Sequence, residues 1–185
     1  MLPLSEMTFI GPVTVGGPDV TLQGDASSIY GQILALNPTF DANTFGHSVA
    51  EAIDSVSAER SLDTRQTTTN NWNCDNGVFV ERYHSQCANA INDLIALGAA
   101  RCVVAPNSCA RVSCSDSCSI YLCNNHTQVA RGEVFPRGEI YCRDIAVNVG
   151  TIVGKCGSDN GNGDTRARGS LDRRRHYTTL TQEAC

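Results

Sequence analysis

Apolar residues recur along this chain at two periods, and each change of period marks an element. Over residues 7–24 the spacing is two. TFIGPVTV and DVTLQG flank Gly16-Gly17-Pro18, a turn dense in glycine and proline, so the stretch predicts a β-hairpin. Pro12 lacks a backbone donor and predicts an edge or bulged first strand. The spacing then lengthens to three and four. DASSIYGQILALNP sets Ile29, Ile33 and Leu36 on one helical face, with an Asp-Ser start suited to a cap and Asn37-Pro38 as the stop. A weaker helical pattern carries Val49, Ala52, Ile53 and Val56, and RSLDTRQTTTNN (60–71) is polar enough to read as a linker.

Beyond the linker the helical period returns twice. YHSQCANAINDLIALG aligns Cys87, Ile91, Leu94 and Ile95, with Gly98 placed to end the helix in a left-handed turn. CRDIAVNVGTIVGKCG aligns Cys142, Ile145, Ala146, Val149, Ile152, Val153 and Cys156, and Gly157 ends it. Gly150, Gly154 and the β-branched residues weaken its intrinsic propensity, but a spacing of three and four predicts helix. RCVVAP and HYTTLTQ read as strands.

Between the two helices lies CARVSCSDSCSIYLC (109–123), with four cysteines in a strand-like run. Folded about Asp116, with Ser115-Asp116-Ser117 as the turn, it opposes Cys114 to Cys118 and Cys109 to Cys123. Alternation then assigns Ala110, Val112, Cys114, Cys118, Ile120 and Leu122 to one face, which is apolar and expected to meet the helices. Cys109, Arg111, Ser113, Ser119, Tyr121 and Cys123 take the other, facing solvent or the N-terminal region. Directly opposed residues in a ladder hold their Cβ atoms about 4.5–5.5 Å apart. A disulfide prefers about 3.5–4.5 Å, so bonds away from the hairpin are favoured over bonds across it. Cys114 and Cys118 are expected to reach helix cysteines such as Cys87, Cys142 or Cys156. Cys109 and Cys123 are expected to reach Cys74, Cys102 or Cys185. Ten cysteines allow roughly 945 full pairings, and the partition by face leaves the connectivity open.

Composition sharpens this picture. Of 185 residues, 41% are hydrophobic and 18% charged, a globular balance, while aromatics at 6% leave a core short of large anchors. All ten cysteines lie at or after Cys74. That shift divides the chain into a cysteine-free leader or pro-region (1–59), a linker (60–73) and a disulfide-rich domain (74–185). It also points to an oxidising, secretory setting. Asn125-His126-Thr127 is a glycosylation sequon and agrees with that setting, whereas Asn37-Pro38-Thr39 is excluded by its proline. MLPLSEM is too short and too acidic for a signal peptide, which does not by itself place the protein in the cytosol. No run of eighteen apolar residues marks a membrane span. A net charge of −5 argues against a phosphate-neutralising surface, and Arg173-Arg174-Arg175 reads as a solvated patch or a processing site.

Other chemistries are weaker readings. Cys114-x₃-Cys118 and Cys118-x₄-Cys123 fit one zinc knuckle loosely, but neither a second knuckle nor paired histidines follow. Redox catalysis lacks its C-x-x-C. A calcium loop starting at Asp159 would have Gly161 and Ser170 where it needs ligands, so GSDNGNGD (157–164) reads as a flexible surface loop. His47, His84, His126 and His176 share no catalytic spacing. Pairing of His84 or His176 with Glu133 or Glu139 in a nuclease or hydrolase stays as the enzyme alternative. Trp72 reads as a core residue before an exposed contact. No cofactor or metal is expected.

CARVSCSDSCSIYLCNN, with NWNC upstream, a helix ending in ALG and a cysteine-terminated final strand, resembles a family of small cysteine-rich secreted fungal proteins. GPVTVGGPDVTLQG and the ILALNP helix look like their cysteine-free leader. More distantly, the order helix, strand pair, helix, strand in residues 80–185 is similar to that of fungal killer toxins and related necrosis-inducing effectors. The resemblance implies an α+β sandwich, with helices on one face of an antiparallel sheet. It also implies a secreted effector or toxin without catalytic activity, and a monomer is expected. Such a protein would bind a protein or cell-surface target in a host plant or competing microbe, or act on membrane channels.

Overall fold

The computed structural model describes residues 2–45, 72–125, 138–173 and 176–185. The protein is a disulfide-rich α+β fold built on two antiparallel sheets. The helix expected around Val49–Val56, and the linker up to residue 71, lie outside the described residues.

The N-terminal alternation forms β1 (Met7–Pro12) and β2 (Asp19–Gly24), paired from Met7↔Gly24 to Pro12↔Asp19. Asp25 then caps α1 (Ala26–Leu36), its Oδ1 accepting the Ser28 N–H at 2.9 Å. Ile29 and Ile33 are buried, whereas Leu36, expected beside them, is 58% exposed at the last position of the helix. After a 3₁₀ turn at Ala42–Phe45 and the short β3 (Trp72–Asn73) come α2 (Tyr83–Gln86) and α3 (Ala88–Ala96). The buried line on α3 is Cys87, Ala90, Leu94 and Leu97. It is rotated from the expected face, leaving Ile95 45% exposed, because α1 and the sheet flank α3 on its Ala90–Leu94–Leu97 side. Gly98 follows with φ +67, and a Cβ there would come within 2.7 Å of the Ala42 Cβ.

Strand β4 (Arg101–Val103) leads to the cysteine hairpin, β5 (Ser108–Ser115) and β6 (Cys118–Asn124). Then β7 (Glu139–Tyr141) runs straight into α4 (Cys142–Cys156), which matches its expected bounds and buried face and adds a buried Asn148. The Asn148 Nδ2 donates to Thr178 Oγ1 at 3.0 Å, and its Oδ1 accepts from Arg173 Nε at 3.2 Å. GSDNGNGD contributes β8 (Ser158–Asp159) and the loop that returns it to pair with β9 (Thr165–Arg166) in a short ribbon. Finally β10 (Gly169–Asp172) and β11 (Tyr177–Gln182) complete the larger sheet.

The sheets run β2-β1-β4-β7 and β3-β10-β11-β6-β5. Helices α3 and α4 cover one face of the five-stranded sheet, over Ala110, Val112, Ile120, Leu122, Leu171 and Leu180. Helix α1 joins α3 and the N-terminal hairpin. The first strand is not at an edge, because β1 lies between β2 and β4. Pro12 sits at its last position, beyond the three residues that pair with β4, where the missing donor is not needed.

The hairpin corrects the face assignment at one end. Its turn has two central residues, Asp116 (φ 48) and Ser117 (φ 67), a left-handed pair that suits strand twist better than a three-residue turn. The leftover residue is absorbed as a bulge between Arg111 and Ser113. Below the bulge the symmetry about Asp116 holds, with Cys109↔Cys123 and Arg111↔Tyr121. Above it the register slips to Ser113↔Ile120, Cys114↔Ser119 and Ser115↔Cys118. Ser113 therefore turns inward and is buried, and Cys114 turns outward.

The disulfides follow from this. Cys118 points inward and bonds Cys87, as expected. Cys114, moved to the outer face, bonds Cys185 instead of a helix cysteine. Cys109 and Cys123 bond each other across the hairpin, contrary to the expectation of distant partners, with Cα atoms 4.0 Å apart. The cause is the ladder. The Cys109 N–H donates to the Pro3 carbonyl, and the Cys109 carbonyl accepts from Ser5, so both backbone groups face away from β6. That makes Cys109↔Cys123 a non-hydrogen-bonded pair, the site where opposed side chains approach most closely. Cys74–Cys156 and Cys102–Cys142 complete the set, and none of the ten thiols is free.

Candidate functional site

The candidate site is the loop between Cys74 and Val80, together with the C-terminal tail beside it. Asn73 starts the loop, its Oδ1 accepting the Asp75 N–H at 2.8 Å, and Gly77 (φ +84) reverses it. The side chain of Arg168 holds the reversal from below, with Nε donating to the Cys74 carbonyl at 3.1 Å and a terminal nitrogen to the Gly77 carbonyl at 3.0 Å. Val78 is tied on both sides: its N–H donates to Thr181 Oγ1 at 2.9 Å, and its carbonyl accepts from Gln182 at 3.0 Å. Val80 then pairs with Ala167 through two backbone hydrogen bonds. Cys74–Cys156 anchors the start of the loop to the end of α4.

This pinned loop displays apolar surface. Val78 is 60% exposed, although its backbone is fully engaged. Next to it, Phe79 lies under two guanidinium groups, Arg168 at 4.3 Å and Arg166 at 4.9 Å from the ring centroid. The tail forms the other bank. Glu183 donates its N–H to the Ser117 carbonyl, and its carboxylate accepts from the Tyr121 hydroxyl. Arg111 donates to the Ala184 carbonyl at 3.2 Å, and Cys185 is bonded to Cys114. Loss of hydration, reinforced by the Glu183 carboxylate, pushes the Tyr121 hydroxyl up to about 12, so it keeps its proton and keeps donating. Between the banks runs an open groove of about 490 Å³, lined by Val78, Phe79, Glu81, Arg168, Ser117 and Glu183 among others. Both charge signs thus line the groove, beside the exposed Val78 and the half-buried, guanidinium-covered Phe79.

The residues singled out from the sequence fall elsewhere. His84, at the head of α2, approaches Asp164 through its backbone N–H (3.0 Å to Oδ1), while Ser85 Oγ donates to Oδ2 at 3.3 Å. Loss of hydration would raise the Asp164 carboxyl, but donors from His84, Thr165 and Ser85 hold it below the usual range. Ser85, His84 and Asp164 thus form a joint between α2 and the β8–β9 ribbon. His176 is buried just before β11, and its carbonyl accepts from the Arg173 N–H. Glu139 lies in the other sheet, where Arg101 reaches it at 3.7 Å. His47, His126 and Glu133 lie outside the described residues. Asn125, the sequon asparagine, is exposed directly after β6. Trp72 is half-buried under Lys155, whose Nζ is 5.1 Å from the ring centroid. All ten cysteines are consumed by disulfides, and among the described residues no group of three potential ligands could hold a metal. No described helix is long and apolar enough to cross a membrane.

Glu139 carries a pH signature. Its burial pushes the carboxyl up more than the Arg101 charge pulls it down. The folded state then binds the proton more tightly than the unfolded chain, so this group's contribution to stability is present at low pH. It is lost as pH rises out of the ordinary glutamate range. Glu139→Gln is expected to flatten that part of the melting temperature profile. An unchanged slope would show that the group titrates normally.

Neither periodicity nor a motif marks the groove in the sequence. Its one local signal is the Arg166-Ala167-Arg168 alternation, which sets both guanidinium groups on one side of a short strand. No family model matches the chain, and no significant match to it was found among curated proteins or solved structures.

Proposed function

We propose that this is a secreted, disulfide-stapled protein that works by binding, without catalysis, a target on a host plant or a competing microbe. The observation that carries the reading is the rigid display of Val78 beside the Arg-flanked Phe79. Exposing an apolar side chain on a loop whose backbone is tied at Cys74, Gly77, Val78 and Val80 lowers the ordering cost of association. Aromatic and arginine side chains in one patch are the composition of contact hot spots. Five disulfides are compatible with an oxidising, extracellular setting. The resemblance to cysteine-rich fungal effectors agrees, and Asn125 is its proposed glycan site. Asp164 is engaged by the His84 backbone N–H and Ser85 Oγ, and Glu139 lies by Arg101 in the other sheet, so neither contact is the histidine–carboxylate side-chain pair that the nuclease or hydrolase alternative needs.

The test is retention of fluorescently labelled protein on plant cell-wall preparations and on intact microbial cells. Val78→Asp is expected to reduce retention at least about thirtyfold, the size of a hot-spot loss, while the melting temperature stays unchanged. Retention equal to wild type on every surface that binds would remove the groove from the proposal. In parallel, His84→Ala and His176→Ala are assayed on generic RNA and glycan substrates. Turnover in the wild type that either substitution abolishes would establish the enzyme alternative.

A further inference from the structure

The five disulfides all lie between Cys74 and Cys185, and none reaches the first 45 residues. Yet those residues supply two strands of the smaller sheet and bridge to the edge of the larger one. Thr8, Phe9 and Ile10 pair with Val103, Cys102 and Arg101, making β1 an interior strand. Pro3 and Ser5 hydrogen-bond Cys109 from its open side, covering part of the exposed edge of the larger sheet. Met7, Phe9, Ala26, Ile29 and Ile33 are fully buried in the same core cluster as Leu94, Leu97 and Cys102. Asp19 reaches Arg101 at 3.7 Å, and a Cβ on Gly11 would fall 2.6 Å from that of Ala100, so the Gly11 backbone packs directly on the Ala100 methyl at this seam.

We propose that residues 2–45 are a non-covalent subunit of the fold: a strand-and-helix insert that stays seated when the chain between residues 45 and 72 is cut. The receiving surface on the disulfide-rich part is the edge of β4, the Ala90–Leu94–Leu97 side of α3 and the outer edge of β5 at Cys109. Its occupant is this chain's own N-terminal segment. The recognition is strand addition, in which backbone hydrogen bonds set the register and alternate side chains, here Met7 and Phe9, fill the apolar side. Disulfides keep the receiving surface formed after the cut, so the insert meets a preorganised seat. Processing in this stretch would then yield a two-chain protein rather than a shortened one.

The experiment places a sequence-specific protease site within residues 60–65 of the full chain, whose melting temperature is first matched to wild type. After cutting, native mass spectrometry and gel filtration at nanomolar concentration are expected to show one particle. It would contain one copy of each piece, while a non-reducing denaturing gel shows two bands. Phe9→Asp, cut in the same way, is expected to release the N-terminal piece at least about a hundredfold more readily. Separation or precipitation of the wild-type pieces under native conditions overturns the proposal. So does a particle with two copies of each piece, which would seat the segment in a neighbouring chain.

Discussion

Replacing Cys102 and Cys142 together by alanine is expected to lower the free energy of unfolding by about 4 kcal/mol. The bond closes a loop of 40 residues, and constraining an unfolded chain over that length is worth about that much in the chain-entropy account. Both residues are fully buried, so the alanines also leave unfilled volume. The bond has architectural weight. It joins β4, the third strand of the smaller sheet, to the first residue of α4, the helix that covers the larger one. By the same account Cys109–Cys123, which closes only 14 residues within one hairpin, is worth about 3 kcal/mol. Guanidinium unfolding of the two double variants checks both the size and the order. A loss below about 1 kcal/mol for Cys102/Cys142 would mean that packing alone secures the joint between sheet and helix.

Phe9→Ala is expected to destabilise the protein by about 3–5 kcal/mol, the range for emptying a fully buried aromatic site. Phe9 is fully buried on β1 opposite Cys102. The informative readout is Trp72, the only tryptophan, which lies in β3 of the other sheet. With one shared core, Trp72 fluorescence should follow a single transition whose midpoint moves to lower denaturant with the substitution. A Trp72 transition that stays in place would make residues 2–45 energetically separate, as expected of a removable leader. This measurement complements the cutting experiment, since one tests energetic coupling in the intact chain and the other tests seating without the tether.

Several elements were legible because their cause is local. The helix Cys142–Cys156 follows from apolar spacing of three and four together with the Gly157 stop, and its buried face matches that spacing. Asp25 as a cap and Gly98 as a left-handed end depend on side chains within one turn. Alternation in 109–123 assigns Ala110, Val112, Cys114, Cys118, Ile120 and Leu122 inward, and all but Cys114 are buried there. An inward Cys118 is expected to reach the helix cysteines, and Cys87 is its partner. The rotation of α3 was not legible, since Ala90 and Ile91 are equally compatible with a buried face until a neighbour selects one. The candidate site was hidden for a related reason. What pins Val78 and Phe79 is Arg168 and Thr181, roughly a hundred positions away, and no local pattern announces such partners.

Fold class, the two-period layout and the oxidised, disulfide-rich character were determined by the sequence itself, because spacing and composition act through each residue's own neighbours. Only the tertiary structure decided the rest. It placed the bulge at Val112 that turns Cys114 outward, the ladder position that lets Cys109 and Cys123 meet, and the seat of β1 between β2 and β4. Each of these depends on which backbone edge lies alongside. A slip of one residue there exchanges the two faces of a strand at almost no local cost, so only distant packing selects the register.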